Sequence, residues 1–305
     1  MKFYNFFSLN LLALNMFCAA ALANDAQSTK VTAEVAVGLE HDSNVNIVEL
    51  DKNSRQSDIA ALLGAKIYGK WQASEKLLLS GGYSASAKTY QHESTYDLFL
   101  HQFSADASYT MDLFTWGASY HCVDANLNKK DFLELQQNSV YLAKLINSRI
   151  YLRAAINLQD KQFSGRAERN AENIGFTGDM FVFFNEGKTF VALGLTNENE
   201  NSRLDELDYS AETLKVKLSH QYPALGKQQK LQLGWRYAVR DYAGVNSTIE
   251  RERYDSAHIS ELEWEVNFTA KIATMAKVEY SQYDSNLPSA DYSETRTSIT
   301  LTARF

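Results

Sequence analysis

Two cysteines and two prolines in 305 residues are the first shortage in this sequence. Cys18 lies in an apolar N-terminal run, which leaves Cys122 alone in the rest of the chain. A disulfide framework is therefore excluded. Pro223 and Pro288 are too few for proline-rich linkers. No stretch after Ala23 holds even 15 apolar residues in a row, which excludes a membrane-spanning helix in that part of the chain. The formal charge is −7, and the charged residues, 22% of the chain, form no block of one sign. Nothing there invites a nucleic-acid partner. HExxH, CxxC and P-loop patterns are absent. The six histidines, His41, His92, His101, His121, His220 and His258, are scattered over different segments. His121 and Cys122 are adjacent, and in a strand they point to opposite faces. The reading is of a chain with no catalytic constellation, no metal site and no cofactor.

Tyr and Phe, by contrast, are abundant, at 17 and 16 residues, as strands favour. The first 23 residues, MKFYNFFSLNLLALNMFCAAALA, carry Lys2 as their only charge and close on Ala21-Leu22-Ala23. That pattern predicts a secretory signal peptide over 1–23, cut after Ala23, with Ala21 the near alternative. A barrel domain is expected over 24–305.

From Lys30 onward the dominant period is two. In DIAALLGAKIYGKW, Ile59, Ala61, Leu63, Ala65, Ile67 and Trp71 share one face, and Lys66, Tyr68 and Lys70 the other. The same alternation runs through 149–159 and 229–240. Fourteen such segments are expected, near 30–40, 58–71, 76–90, 96–110, 113–124, 134–146, 149–160, 173–184, 188–198, 209–222, 229–242, 257–268, 274–284 and 293–305. Most exceed the roughly 5–6 residues of a common globular strand and match the roughly 9–11 that a tilted strand needs to cross a membrane. Connections alternate between short and long, with 125–133 and 243–256 among the long ones. In lipid, backbone groups must pair internally, so such a sheet must close. The fold class expected is all-β, a single transmembrane antiparallel up-and-down β-barrel of about 14 strands. Trp71, Tyr109, Phe114, Trp116, Tyr222, Trp264 and Phe305 lie near strand ends, as an interfacial aromatic girdle requires.

The face opposite the apolar one carries the charges, among them Lys144, Arg153, Lys215, Lys217, Arg296 and Arg304. Its clearest feature is SELEWEVNF, where Glu261, Glu263 and Glu265 alternate with Leu262, Trp264 and Val266. Three carboxylates on one strand face repel. Arg236 and Arg240 on one neighbouring strand, and Lys277 with Glu279 on the other, are expected to complete an acid–base ladder on the lumen wall. One reading is an electrostatic constriction that selects permeants. The other is a self-neutralising wall that props the lumen open, and the mutual pairing favours it. The closing run TRTSITLTARF is expected to pair back to 31–39.

Three runs, VAVGLEHDSNVNI, RAERNAENIGFTGDMFVFF and SQYDSNLPSADYSETRTSITLTARF, resemble parts of outer-membrane β-barrel porins. They are also similar to the barrel domain of surface lipoprotein assembly modifiers. That second family usually carries a helical-repeat domain ahead of its barrel, whereas the first strand here is expected within about ten residues of the cleavage site. The resemblance implies Phe305 as a signal read by the outer-membrane assembly machinery. Outer-membrane lipid, that machinery and small hydrophilic solutes are the implied partners. The function expected is a porin-like passive channel, with a lipoprotein export or assembly factor, or a surface-binding barrel without an open pore, as alternatives. The localisation expected is the cell outer membrane.

Overall fold

The structure, a computed structural model, describes residues 29–305. The expected signal peptide, with its cleavage site, lies outside the described residues. Fourteen long strands follow one another: β1 (Thr29–Asp42), β2 (Asp58–Gln72), β3 (Leu77–Tyr90), β4 (Leu98–Thr110), β5 (Thr115–Leu127), β6 (Lys130–Ile146), β7 (Ile150–Phe163), β8 (Ala171–Phe184), β9 (Thr189–Ser202), β10 (Tyr209–Ala224), β11 (Lys227–Asn246), β12 (Arg251–Asn267), β13 (Ile272–Ser285) and β14 (Tyr292–Arg304). Each pairs antiparallel with the next, and β14 closes on β1. The closing register runs from Glu34 opposite Arg304 to Asp42 opposite Arg296. Phe305 adds one more rung, donating its N–H to Ala33 and accepting the Ala33 N–H in return. No edge is left open, the condition for a sheet to live in lipid.

The two ends differ. At the end that holds Thr29 and Arg304 (the terminal end), short turns such as 73–76 and 225–226 join the strands. Leu225 and Gly226 both have positive φ, as do Asn147 and Ser148, the backbone of the two-residue hairpin that follows strand twist. At the other end (the loop end) lie the longer connections, led by 43–57. Two expected long connections are short. Asn128 and Lys129, at φ 51° and 61°, turn β5 into β6 within two residues. Likewise only 247–250 separate β11 from β12.

Those missed strand ends share a cause. In the middle of the barrel, apolar residues face out and polar ones in, as the period-two reading requires: Val35, Val37, Leu63, Ile67, Leu195, Leu233, Ile299 and Leu301 are exposed. Near the loop end the rule inverts. Ala60, Tyr90, Leu100, Val123, Ala125, Leu133 and Phe163 are buried in one cluster on the inside. On the same strands Asp124, Glu134 and Gln162 are exposed. With strands of 13 to 20 residues, against the roughly 9–11 that lipid requires, the barrel projects beyond the membrane. There the outside meets water and the inside has something to pack against, so apolar residues turn inward as in any water-soluble protein. At the terminal end Trp71, Tyr109, Phe114, Trp116, Trp264 and Phe305 are all exposed, forming the expected girdle.

Candidate functional site: the lumen wall and the loop within it

The carboxylates of β12 do face the lumen, and of their expected partners Lys277 is in place opposite Glu263 whereas Arg236 and Arg240 are not. Opposite Glu261, Glu263 and Glu265, β11 places Gly234, Gln232 and Lys230. Arg236 stands opposite Ile259 and Arg240 opposite Asp255, nearer the loop end, so neither is the cross-strand neighbour of a ladder carboxylate. Arg240 instead lies over the Tyr209 ring, 4.8 Å from its centroid. The third strand face, β13, holds Glu279, Lys277 and Met275 opposite the same three glutamates. Lys144, expected in the lumen, is exposed on the outer face of β6 beside Leu142. It flanks the apolar band near the terminal end, where a lysine can extend its charge to the interface.

The cations that serve the ladder are Lys277, Lys217, Lys230, Arg296 and Arg304. Lys277 Nζ lies 3.2 Å from Glu261, 3.7 Å from Glu263 and 3.1 Å from Glu279. Lys217, two strands away on β10, reaches Glu261 and Glu263 at 3.7 and 3.8 Å. It can do so because Gly234 is its register partner and also that of Glu261. A Cβ on Gly234 would meet the Glu261 carboxylate at 2.4 Å, so the missing side chain is the gap through which β10 and β12 touch. Arg296 forks onto Glu279 at 2.5 Å and Glu294 at 3.2 Å, two carboxylates each with only 2% of their surface accessible. Glu265 is held by Lys230 at 2.9 Å and Arg304 at 3.0 Å, and Arg304 also reaches Glu34 on β1 at 3.4 Å. The wall from β10 round to β1 thus carries two nets of alternating charge, one joining Lys217, Glu261, Glu263, Lys277, Glu279, Arg296 and Glu294, the other joining Lys230, Glu265, Arg304 and Glu34 nearer the terminal end. Sequence alternation gave the inward parity of these residues. It did not give register, which decides which of them meet.

The facing wall mixes neutral and charged side chains, with Lys161 of β7 paired to Glu200 of β9 toward the loop end. Ser139, Asn157, Thr177 and Thr196 form a chain of side-chain hydrogen bonds from β6 to β9, with links of 2.7, 3.0 and 3.3 Å. Toward the terminal end Arg153 stacks on Tyr141 at 4.4 Å and pairs with Asp179 at 3.5 Å, while the Tyr141 hydroxyl donates to Asp106 at 3.0 Å.

The connection 43–57 occupies the loop-end lumen. It forms a small hairpin of two short strands, Asn46–Ile47 and Lys52–Asn53, around a 3-10 turn, Val48–Leu50. Val45 and Ile47 are buried in the apolar cluster of β2 to β7. Val48 packs on the opposite flank, against Ala257, Ile259, Tyr283 and Tyr292. Asn44 anchors the base, donating to the Ser293 carbonyl at 3.3 Å and accepting the Arg55 N–H at 3.0 Å. Asn46 bonds to Glu294. At the tip, Asp51 adopts the left-handed conformation, φ 52°, which Asp tolerates better than most residues. Its two oxygens take one arginine each: Arg253 of β12 at 2.7 Å and Arg169, in the β7–β8 connection, at 3.1 Å. Arg169 also donates to the Glu49 carbonyl at 2.8 Å. In a ring of fourteen strands the β7–β8 connection is six strands from the β1–β2 connection, so the hairpin tip reaches across the lumen to Arg169. Two small clefts flank it, and Val48, Asp51 and Arg240 line both. The sequence did contain a signal for this. Val45, Ile47, Val48 and Leu50 put four apolar residues into the connection between the first two expected strands.

A closed sheet with an apolar outer band, an aromatic girdle and a charged lumen is an outer-membrane-type β-barrel. The chain is similar in structure to in-vitro folded OmpT, an outer membrane protein of Vibrio cholerae, with a TM-score of 0.54 at 10% identity, covering 93% of this chain and 99% of that one. It is also similar to the anion-selective porin from Comamonas acidovorans, with a TM-score of 0.52 at 9% identity, covering 92% and 100%. Likeness at this identity establishes the shared fold. No protein-family model and no curated protein sequence matches the chain.

Proposed function

We propose that the protein is a porin-like channel of the outer membrane, passing small hydrophilic solutes along the ion-paired lumen wall of β10–β14. The observation that carries this reading is the ion-paired lumen wall. Residues that only hold a barrel together need not be charged, and replacing buried ion pairs by apolar packing is often neutral or stabilising. A wall of mutually satisfied charges keeps water along it while leaving no large field of one sign. The shared fold with a porin agrees with this, and the assembly-modifier resemblance has no feature of the lumen to support it. In this orientation the terminal end faces the periplasm and the loop end the exterior, as short turns and longer loops do in such barrels.

The test is conductance of the purified, folded protein in planar bilayers. Stepwise openings are expected, and a silent barrel, with the 43–57 hairpin also deleted, would sink the reading. Glu263→Lys, which adds a cation to a wall that already holds Lys217 and Lys277, should move the reversal potential in a salt gradient toward anion selectivity. An unmoved reversal potential would leave the wall a purely structural element. By the same reading Phe305 serves assembly. Phe305→Ala should lower the amount of barrel reaching the membrane in cells while leaving folding of the purified chain unchanged.

A further inference from the structure

The hairpin 43–57 is attached unevenly. Its near half is held by apolar burial of Val45 and Ile47 and by the Asn44 contacts at the base. Its tip reaches the far wall chiefly through charge, the Asp51 carboxylate between Arg169 and Arg253 and the Arg169 bond to the Glu49 carbonyl, with the half-buried Val48 as the apolar contact to β12 beside it. Apolar burial is indifferent to competing ions, whereas a carboxylate on two guanidinium forks can be displaced by another carboxylate. Arg253 is kept in place without Asp51, because Asp255 holds it from its own strand at 2.9 and 2.7 Å and the Tyr242 ring lies under it at 4.6 Å. Arg169 keeps 24% of its side-chain surface accessible, so the site is approachable from that side, along the cleft it lines.

We propose that Arg169 and Arg253 form a carboxylate-binding site that Asp51 occupies in the closed state, and that a carboxylate-bearing solute entering from the loop end takes the place of Asp51 and frees the hairpin tip from the far wall. The hairpin then works as a latched gate on the near wall, and the solute class that opens it is organic acids. This rests on the channel reading, but the latch has a readout that does not depend on conduction.

A spin label on Lys52→Cys, an exposed position beside the latch, in a full-length chain with Cys18 and Cys122 changed to Ser, reports tip mobility in lipid vesicles. Sodium succinate should mobilise the label and raise conductance several-fold over sodium chloride of equal ionic strength. Asp51→Asn should be mobile and conductive in chloride alone, with succinate adding little. Heat-shifted gel mobility verifies that each variant is folded, and Arg169→Gln provides a second way to break the latch should Asp51→Asn fold poorly. Equal effects of succinate and chloride would overturn the solute site. An immobile label in both Asp51→Asn and Arg169→Gln would overturn the latch. A label that responds as expected in a barrel that never conducts would retain the latch and reject the channel.

Discussion

Single residues in this barrel matter most where burial and charge coincide. Arg296 is the sharpest case. It is shared by Glu279 and Glu294, both almost fully buried. Arg296→Gln should lower unfolding stability by about 3–5 kcal/mol, the range found when one partner of a buried ion pair is removed, measured as a shift of the urea midpoint in lipid. Asp51 is the second case, and it lies outside the membrane-spanning segments. Burial by itself would raise its pKa, but the guanidinium groups of Arg253 and Arg169 outweigh that and hold the carboxyl below its ordinary value of 3.8. A carboxylate with a depressed pKa stabilises the folded state fully above its ordinary value and loses that contribution as pH falls through the depressed one. The latch should therefore persist from neutral pH into mild acid and release only below the usual carboxylate range. Arg169, Arg240, Arg253, Lys161, Tyr242 and the carboxylates of Glu49, Glu200 and Asp255 line the same clefts as Asp51. Spin-label mobility recorded from pH 7 downward checks this, and release near pH 6 would assign the transition to some other group.

At the scale of strands, alternation was legible and register was not. Period two assigned the inward face of β12 and β13 correctly, because lipid on one side and water on the other leave no freedom of face. It could not show that Glu261 meets Lys217 across Gly234 rather than Arg236 beside it, because that depends on the register of β11 against β12, which shifts between Asp241 and Val245. Lys144 was misplaced because its segment was read from charge, whereas the interfacial end of a strand accepts a lysine on the lipid side. Glycine positions separate the two kinds of close approach. A Cβ on Gly117 would meet the Tyr141 ring at 2.4 Å and the Ala107 carbonyl at 2.8 Å, both fixed, whereas one on Gly234 would meet only the flexible Glu261 side chain. Gly117→Ala should therefore cost about 1–3 kcal/mol as an overpacking change, and Gly234→Ala distinctly less. Denaturant titration of the two folded variants decides between this ordering and its reverse.

For the whole molecule, the fourteen-strand closure was readable because each strand carries its own signal. The hairpin within the lumen was not, because its partners Arg169 and Arg253 lie more than a hundred residues away in sequence and meet it only once the ring has closed. The inverted packing at the loop end has a consequence of its own. A protein whose lower storey hides its polar groups from hydrocarbon and whose upper storey hides its apolar groups from water answers to two solvents at once. Exchanging lipid for detergent changes the surroundings of the lower storey and leaves the upper one where it was. Urea acts from the aqueous side, first on the cluster that packs Val45 and Ile47. The two storeys share strands but not a solvent. A single melting temperature would thus average two separate stabilities, and only amide exchange read strand by strand, above and below the girdle's level, can separate them.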